Sequence, residues 1–85
     1  RAQRSRSDVA HLVIVDDEAD VRDMVREYLM KQGYAVGEAD GGEALWRLMA
    51  ERPVDLAILD VNMPGEDGLS IARQLRKRGP VGIIM

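Results

Sequence analysis

Two strongly apolar runs in this sequence end directly in aspartate. Residues 11–15 are His-Leu-Val-Ile-Val and are followed by Asp16 and Asp17, while residues 54–59 are Val-Asp-Leu-Ala-Ile-Leu and are followed by Asp60. Short β-branched runs of this kind are typical of strands that are buried on both faces of a parallel sheet. Because an ionised carboxylate is costly to desolvate, an acid that directly ends a buried strand favours a functional role over a structural one.

The segments around these runs alternate between helical and strand-like patterns. Apolar residues recur at helical spacing between residues 18 and 32, and Gly33 then provides a typical helix stop. Asp40 stands three residues before Glu43, as in a capping box, and Asp67 is placed to cap a later helix. The predicted elements are, in order, a strand at 11–15, a helix at 18–32, a strand at 34–39, a helix from about 43 that ends before Pro53, a strand at 54–59, a helix after Asp67 that ends near 78, and a strand at 81–85.

This βαβαβαβ order leaves links that are too short for anything but crossover connections between parallel strands. The sequence therefore predicts an α/β fold with a doubly wound parallel sheet. In such a sheet the functional site lies outside the carboxyl ends of the strands, where the strand order reverses. If the first and third strands are neighbours, Asp16, Asp17 and Asp60 converge at that edge.

Three carboxylates in one place repel each other strongly, and protonation or a divalent cation relieves that repulsion. A set of carboxylate and carbonyl oxygens suits Mg²⁺, which keeps several of its own waters. Other acids have simpler roles: Asp40 and Asp67 as helix caps, and Asp55 as a solvated residue at a strand start. For Asp17, capping of the first helix is an alternative to metal binding. His11, the single histidine, is interpreted as a surface or strand-end residue.

Composition limits the chain to one folded, soluble domain. It has 85 residues, of which 46% are hydrophobic and 32% charged, and it has no cysteine, so disulfides and thiolate metal sites are excluded. Residues 1–8 form a polar, basic segment that we interpret as a disordered leader, and residues 9–85 form the domain. The domain is acidic, which disfavours direct nucleic-acid binding. With no signal-type or membrane-spanning apolar run, a cytoplasmic location is expected.

Several familiar sites are disfavoured by the sequence. The turn after the first strand is acidic rather than glycine-rich, so it would repel a pyrophosphate group, and no Walker sequence is present. The stretch that begins at Asp60 opens like a calcium loop, but Pro64 and Ile71 occupy positions where that loop needs oxygen ligands. Nucleotide binding and an EF-hand are therefore not expected.

The residues around both acid sites resemble the receiver domain of two-component response regulators. The resemblance rests on Val-Ile-Val-Asp-Asp-Glu at 13–18 and on Leu-Ala-Ile-Leu-Asp-Val-Asn-Met-Pro-Gly-Glu-Asp-Gly at 56–68, with weaker matches at Gly33-Tyr34, at 42–45 and at the basic end of the third helix. It runs from about residue 10 to residue 85. An acidic pair, a later aspartate and Met-Pro before Asp-Gly, at this spacing, form a highly specific signal.

The resemblance implies a flavodoxin-like receiver fold and a role for each matched residue. Asp60 would be the phosphoacceptor, Asp17 and Asp60 would bind Mg²⁺ directly, Asp16 would act through the water shell of the metal, and Asn62 would offer its main-chain carbonyl. The phosphoryl group would come from a sensor histidine kinase or a phosphotransfer protein, and the chain would catalyse only its own phosphotransfer and dephosphorylation. A Thr or Ser after the fourth strand and a Lys after the fifth, both present in the family, fall beyond residue 85.

Two other functions were weighed against this one. A phosphatase of the haloacid dehalogenase type needs Asp-x-Asp-x-Thr after the first strand, but Glu18 and Asp20 stand where the second Asp and the Thr are required. A receiver-like interaction module that takes no phosphate is disfavoured by the intact acid triad.

The fourth strand is expected to be an open edge, which favours association of the 85-residue chain with itself. Met24 lies at the margin of the apolar stripe of the first helix, where core packing is favoured over docking of a kinase.

Overall fold

The computed structural model describes residues 9–61 and 68–85. The expectations for a disordered leader at 1–8, for Asn62 as a metal ligand and for Asp67 as a helix cap lie outside the described residues. The elements are β1 (His11–Val15), α1 (Ala19–Lys31), β2 (Ala35–Ala39), α2 (Gly42–Glu51), β3 (Leu56–Leu59), α3 (Gly68–Arg78) and β4 (Gly82–Ile84). The predicted elements are confirmed in order and type, with ends that differ by up to two residues.

The four strands form one parallel sheet in the order β2-β1-β3-β4. β1 therefore lies between β2 and β3, and the strand order reverses between β1 and β3. This is the doubly wound arrangement that the sequence predicted, with its switch point between the two strands that end in acid. Among the described residues, no helix is both long enough and apolar enough to cross a membrane.

The main core lies between one face of the sheet and the helices α2 and α3. Val13, Val15, Ala57 and Leu59 alternate along β1 and β3, as the period of a strand requires, and point to this face. The helices contribute the fully buried Leu45, Ile71 and Leu75. At its edge, the Arg78 guanidinium of α3 lies 4.2 Å from the ring centroid of Trp46 of α2, a cation–π contact that joins the two helices.

The opposite face of the sheet carries α1. Leu12 and Ile14 of β1 are buried on this face, and Glu38 of β2, the register partner of Ile14, is bonded to Arg22 of α1. α1 itself has no fully buried residue. Met24 is 64% exposed, so the expectation that it fills the core is wrong. The spacing located the apolar stripe, but Met24 points away from the sheet that the stripe contacts.

The end of α1 follows the sequence prediction closely. Gly33 has φ +99°, in the left-handed region that favours glycine. Its N–H donates to the Met30 carbonyl at 3.0 Å, and the N–H of Tyr34 donates to the Leu29 carbonyl at 3.3 Å. This pair of bonds is a Schellman motif, which satisfies carbonyls that the helix end would leave open.

The starts of the helices differ from the prediction. The N-cap of α2 is Gly41 rather than Asp40, so the capping box from Asp40 is wrong. The N-cap of α1 is Glu18, without a side-chain bond, so Asp17 does not cap that helix. Asp17 and Asp40 are therefore not the N-cap residues of these two helices.

His11 is the first residue of β1, which confirms the strand-end alternative, but it is buried, with 7% of its surface exposed, and does not lie on the surface. Its Nδ1 lies 2.8 Å from the Pro53 carbonyl oxygen, so this nitrogen carries a proton and donates it. Its main-chain N–H donates to Oδ2 of Asp55 at 2.8 Å. Asp55, expected to be merely solvated, thus holds the start of β1. Both partners lie more than 40 residues away in sequence, beyond the reach of local patterns.

Candidate functional site

The carboxyl ends of β1 and β3 lie side by side at the switch point of the sheet. Val15 pairs with Leu59, so the next residue on each strand is an aspartate. The main-chain N–H of Asp60 donates to the Val15 carbonyl at 2.9 Å, and the N–H of Asp16 donates to the Ala39 carbonyl of β2 at 3.0 Å. The ladder bonds therefore continue into the acids and fix where both of their backbones lie.

The carboxylates of Asp16, Asp17 and Asp60 form one cluster, as the sequence predicted. One oxygen from each lies within 4.8 Å of the other two. Asp16 and Asp60 are half-buried, and Asp17 is exposed. Two oxygens on opposite sides of one Mg²⁺ would be about 4 Å apart, given metal–oxygen distances near 2.1 Å. The cluster therefore offers the donor type that Mg²⁺ prefers, with oxygens close to the spacing that one ion requires.

The three carboxylates have different surroundings. Oδ1 of Asp16 accepts the main-chain N–H of Glu18 at 2.9 Å, a local bond that closes the turn between β1 and α1. One oxygen of Asp16 is thereby committed to the turn, which suits a ligand that acts through a metal-bound water. The carboxylate of Asp17 makes no hydrogen bond or ion pair with any residue in 9–61 or 68–85. Asp17 is therefore the more available direct ligand.

The start of α3 packs directly against the backbone of Asp60. A Cβ added to Gly68 would lie 2.5 Å from the Asp60 carbonyl oxygen and 2.9 Å from the Val61 Cα. Such distances are below any normal contact, so only glycine allows this approach. The sequence had placed Gly68 in the Asp-Gly pair of the family without giving a reason for it. The structure supplies one, because α3 begins against the main chain of Asp60, where a side chain at residue 68 would clash.

Sequence reasoning missed Arg22 and Glu38. Nη1 of Arg22 donates to the Asp16 carbonyl at 2.7 Å, and its Nε donates to Oε1 of Glu38 at 3.1 Å. The Nε of Arg26 lies 3.7 Å from Oε2, the other carboxylate oxygen of Glu38. A signal was present: Arg22 follows Asp17 by five residues, in the first predicted helix, and Glu38 stands near the end of the second predicted strand. Neither residue was assigned a role from the sequence.

The model of the response regulator receiver domain matches residues 12–85 of the chain. One relative is the TorCAD operon transcriptional regulatory protein TorR of Escherichia coli O157:H7, which is 43% identical over 75 residues. That match covers 88% of this chain and 33% of TorR, so the chain spans about a third of the length of this relative. The structure of the receiver domain of TorR, the response regulator of the TMAO respiratory system, matches with a TM-score of 0.82 and 40% identity, over 87% of this chain and 62% of that one.

A second relative, TrrA of Thermotoga maritima, is known in two informative structures. In complex with Mg²⁺-BeF it matches with a TM-score of 0.75 and 36% identity, over 82% of this chain and 61% of the TrrA chain. In complex with the histidine kinase ThkA the match has a TM-score of 0.80 and 34% identity, over 88% of this chain and 66% of the other. The family match, the parallel sheet and the acid cluster at its switch point agree, and the chain belongs to the receiver domain family of response regulators.

Proposed function

We propose that this chain is the phosphoacceptor part of a two-component response regulator and that Asp60 takes the phosphoryl group. The observation that carries the proposal is the gathering of Asp16, Asp17 and Asp60 within 4.8 Å at the switch point between β1 and β3. Of these three, only Asp60 ends the third strand and faces the acidic pair. Membership of the family indicates the class of reaction, which is phosphoryl transfer. The position of Asp60 supports its assignment as the nucleophile.

In the proposed reaction a carboxylate oxygen of Asp60 forms a bond to phosphorus while the bond from phosphorus to the donor imidazole nitrogen breaks. The electron pair of the broken bond stays on that nitrogen, and because the other ring nitrogen of the donor carries a proton, the donor leaves as a neutral histidine. The contribution of the chain is mainly positioning. The main-chain bond from Asp60 to Val15, and the contact of its carbonyl with Gly68, hold the nucleophile at the rim of the sheet.

A dianionic phosphoryl donor would be repelled by three carboxylates. When bound, Mg²⁺ supplies charge neutralisation on the nucleophile and on the phosphoryl oxygens. We propose Asp17 and Asp60 as direct ligands, Asp16 as a ligand through water, and Asn62 as a main-chain carbonyl ligand. The Asp17 carboxylate, which makes no bond to the residues that the structure describes, and the partly committed carboxylate of Asp16 support this division. The Mg²⁺-BeF complex of TrrA supports the choice of metal.

The proposed donor is a sensor histidine kinase or a phosphotransfer protein, supported by the complex of TrrA with a histidine kinase. α1 begins beside the acids and presents Met24 and Tyr28, which are 64% and 63% exposed, one helical turn apart. An apolar strip of this kind on a helix suits packing against a helix of the donor. The proposed catalysis is confined to phosphorylation and dephosphorylation of the chain itself.

Three further points belong to the proposal and rest on the family and the composition. The compartment is the cytoplasm, and this segment makes no direct contact with nucleic acid. The chain can associate with a second copy. None of them alters the assignment of Asp60.

The test is transfer of labelled phosphate in the gene product that contains these residues, with Mg²⁺ and either a kinase or a small acyl phosphate. Asp60→Asn should abolish labelling, because the amide is not a nucleophile under these conditions. Asp55→Asn is the matched control, since it makes the same chemical change just before the same strand and keeps an oxygen that accepts the His11 N–H bond. Equal labelling of Asp60→Asn and wild type would refute the assignment. Absence of label from a wild type that binds Mg²⁺ would favour a receiver-like interaction module.

A further inference from the structure

Arg22 reaches from α1 back to the end of β1. Its Nη1 donates to the main-chain carbonyl of Asp16 at 2.7 Å, a charge-assisted bond in the short range. That carbonyl belongs to the peptide unit that joins Asp16 to Asp17. Because a peptide unit is planar, fixing its oxygen also fixes the direction in which the chain enters Asp17. Arg22 thus acts on the orientation of Asp17 through a neutral main-chain atom.

Glu38 holds Arg22 in this position. Its Oε1 accepts the Nε–H of Arg22 at 3.1 Å, while Arg26 lies 3.7 Å from its Oε2. The Arg22 and Glu38 side chains are only 17% and 21% exposed, so this pair is screened less than a surface ion pair. The planar fork of arginine presents Nε and Nη in different directions, which lets Arg22 bond to Glu38 and to the Asp16 carbonyl at once. A lysine has one nitrogen and cannot repeat this geometry.

The Asp16 residue is therefore held at three points. Its N–H donates to the Ala39 carbonyl, its Oδ1 accepts from Glu18, and its carbonyl accepts from Arg22. The first of these bonds and the Glu38 support of Arg22 both come from the last two residues of β2. That strand carries none of the three clustered carboxylates, yet it supports the turn in which two of them lie.

The geometry points to Arg22, oriented by Glu38, as a positioning residue for the Mg²⁺ site: by fixing the peptide between Asp16 and Asp17 it sets the Asp17 carboxylate where the metal needs it. This inference rests on the proposed function and adds a supporting residue to it. Electrostatics alone argues against a cation at this place, because a guanidinium near a divalent ion weakens the binding of that ion. Positioning and charge therefore predict opposite signs when Arg22 is replaced.

The experiment compares Arg22→Gln, Arg22→Lys and the control Arg47→Gln in the gene product that contains these residues. Arg47 forms an exposed pair with Glu43 at 3.3 Å on α2. Calorimetric titration with Mg²⁺ alone should show affinity about tenfold weaker for Arg22→Gln, as is typical when a group that orients a metal ligand is lost. Arg22→Lys keeps the charge but not the fork, so it should also weaken binding, and no loss of positive charge offsets that effect. The control should stay within about twofold of wild type, as exposed pairs contribute little.

A second readout needs no metal. In the Mg²⁺-free protein, the ¹⁵N resonance of the Asp17 amide belongs to the same peptide unit as the Asp16 carbonyl, so it should shift in both Arg22 variants and stay in place in Arg47→Gln. Tighter Mg²⁺ binding by Arg22→Gln, with Arg22→Lys equal to wild type, would show a charge effect only and overturn the inference. Lower melting temperatures with unchanged Mg²⁺ affinity and an unmoved Asp17 amide would show a structural role only, and would overturn it too.

If Arg22→Gln does not fold, Arg22→Lys decides the question by the same two measurements. The outcomes also separate this inference from the proposed function. A wild type that binds no Mg²⁺ would refute the metal site itself. A wild type that binds Mg²⁺ with variants that bind equally well would refute only the role of Arg22.

Discussion

Replacing Gly68 with alanine should damage the site through the backbone of Asp60. The new Cβ would lie 2.5 Å from the Asp60 carbonyl oxygen, about 0.9 Å short of the 3.4 Å at which ordinary contact begins, and 2.9 Å from the Val61 Cα. Both are main-chain atoms, so no side chain can rotate away, and either α3 or the end of β3 must move. Overpacking of this kind costs about 1–3 kcal/mol. Helix propensity alone predicts the opposite sign, since alanine exceeds glycine by up to about 1 kcal/mol.

For a domain of this size each 1 kcal/mol lowers the melting temperature by about 4–8 °C. A displacement of Asp60 by nearly 1 Å should also slow phosphorylation by a small-molecule donor, by up to about 100-fold. The matched control is Gly82→Ala, where the closest atom is Cδ1 of Leu56 at 2.8 Å. That atom is the end of a flexible side chain, so the control should cost less and leave the labelling rate unchanged. Wild-type melting and labelling by Gly68→Ala would refute the reasoning.

Two further predictions concern the metal and the donor. Asp17→Ala should weaken Mg²⁺ binding more than Asp16→Ala, because Asp17 has the free carboxylate and Asp16 commits one oxygen to the Glu18 N–H; equal affinities of wild type and both variants in calorimetry would refute the metal site. Met24→Lys should keep the fold, since Met24 is 64% exposed, and should lose transfer from the kinase while still accepting phosphate from a small donor. Loss of both activities would contradict a docking role.

The sequence was sufficient wherever one local pattern decided the outcome. The apolar runs gave β1 and β3, and the acids that follow them gave the Asp16, Asp17 and Asp60 cluster, because parallel strands bring their carboxyl ends to one edge. Gly33 as the stop of α1 is a similar case, since its left-handed conformation is a local requirement.

Two of the misses have a common physical origin in contacts between distant parts of the chain. The ring and the N–H of His11 find partners at Pro53 and Asp55, and these partners turn an apparent surface residue into a buried one. Arg22 acquires its role only when β2 brings Glu38 beside it, which depends on strand register. The capping box at Asp40 failed for another reason, because the chain enters α2 through Gly41 in an extended conformation.

The stacking of Arg78 on Trp46 gives the protein a built-in optical probe. Trp46 is the single tryptophan of these 85 residues, so their tryptophan emission comes from one known place, the edge of the contact between α2 and α3. A charged group 4.2 Å from the ring centroid makes that emission sensitive to any separation of the two helices. Since α3 begins against Asp60 and ends at Arg78, one helix joins the acid site to the indole. A change in Trp46 emission would therefore report on the C-terminal end of α3, whose N-terminal end contacts the main chain of Asp60.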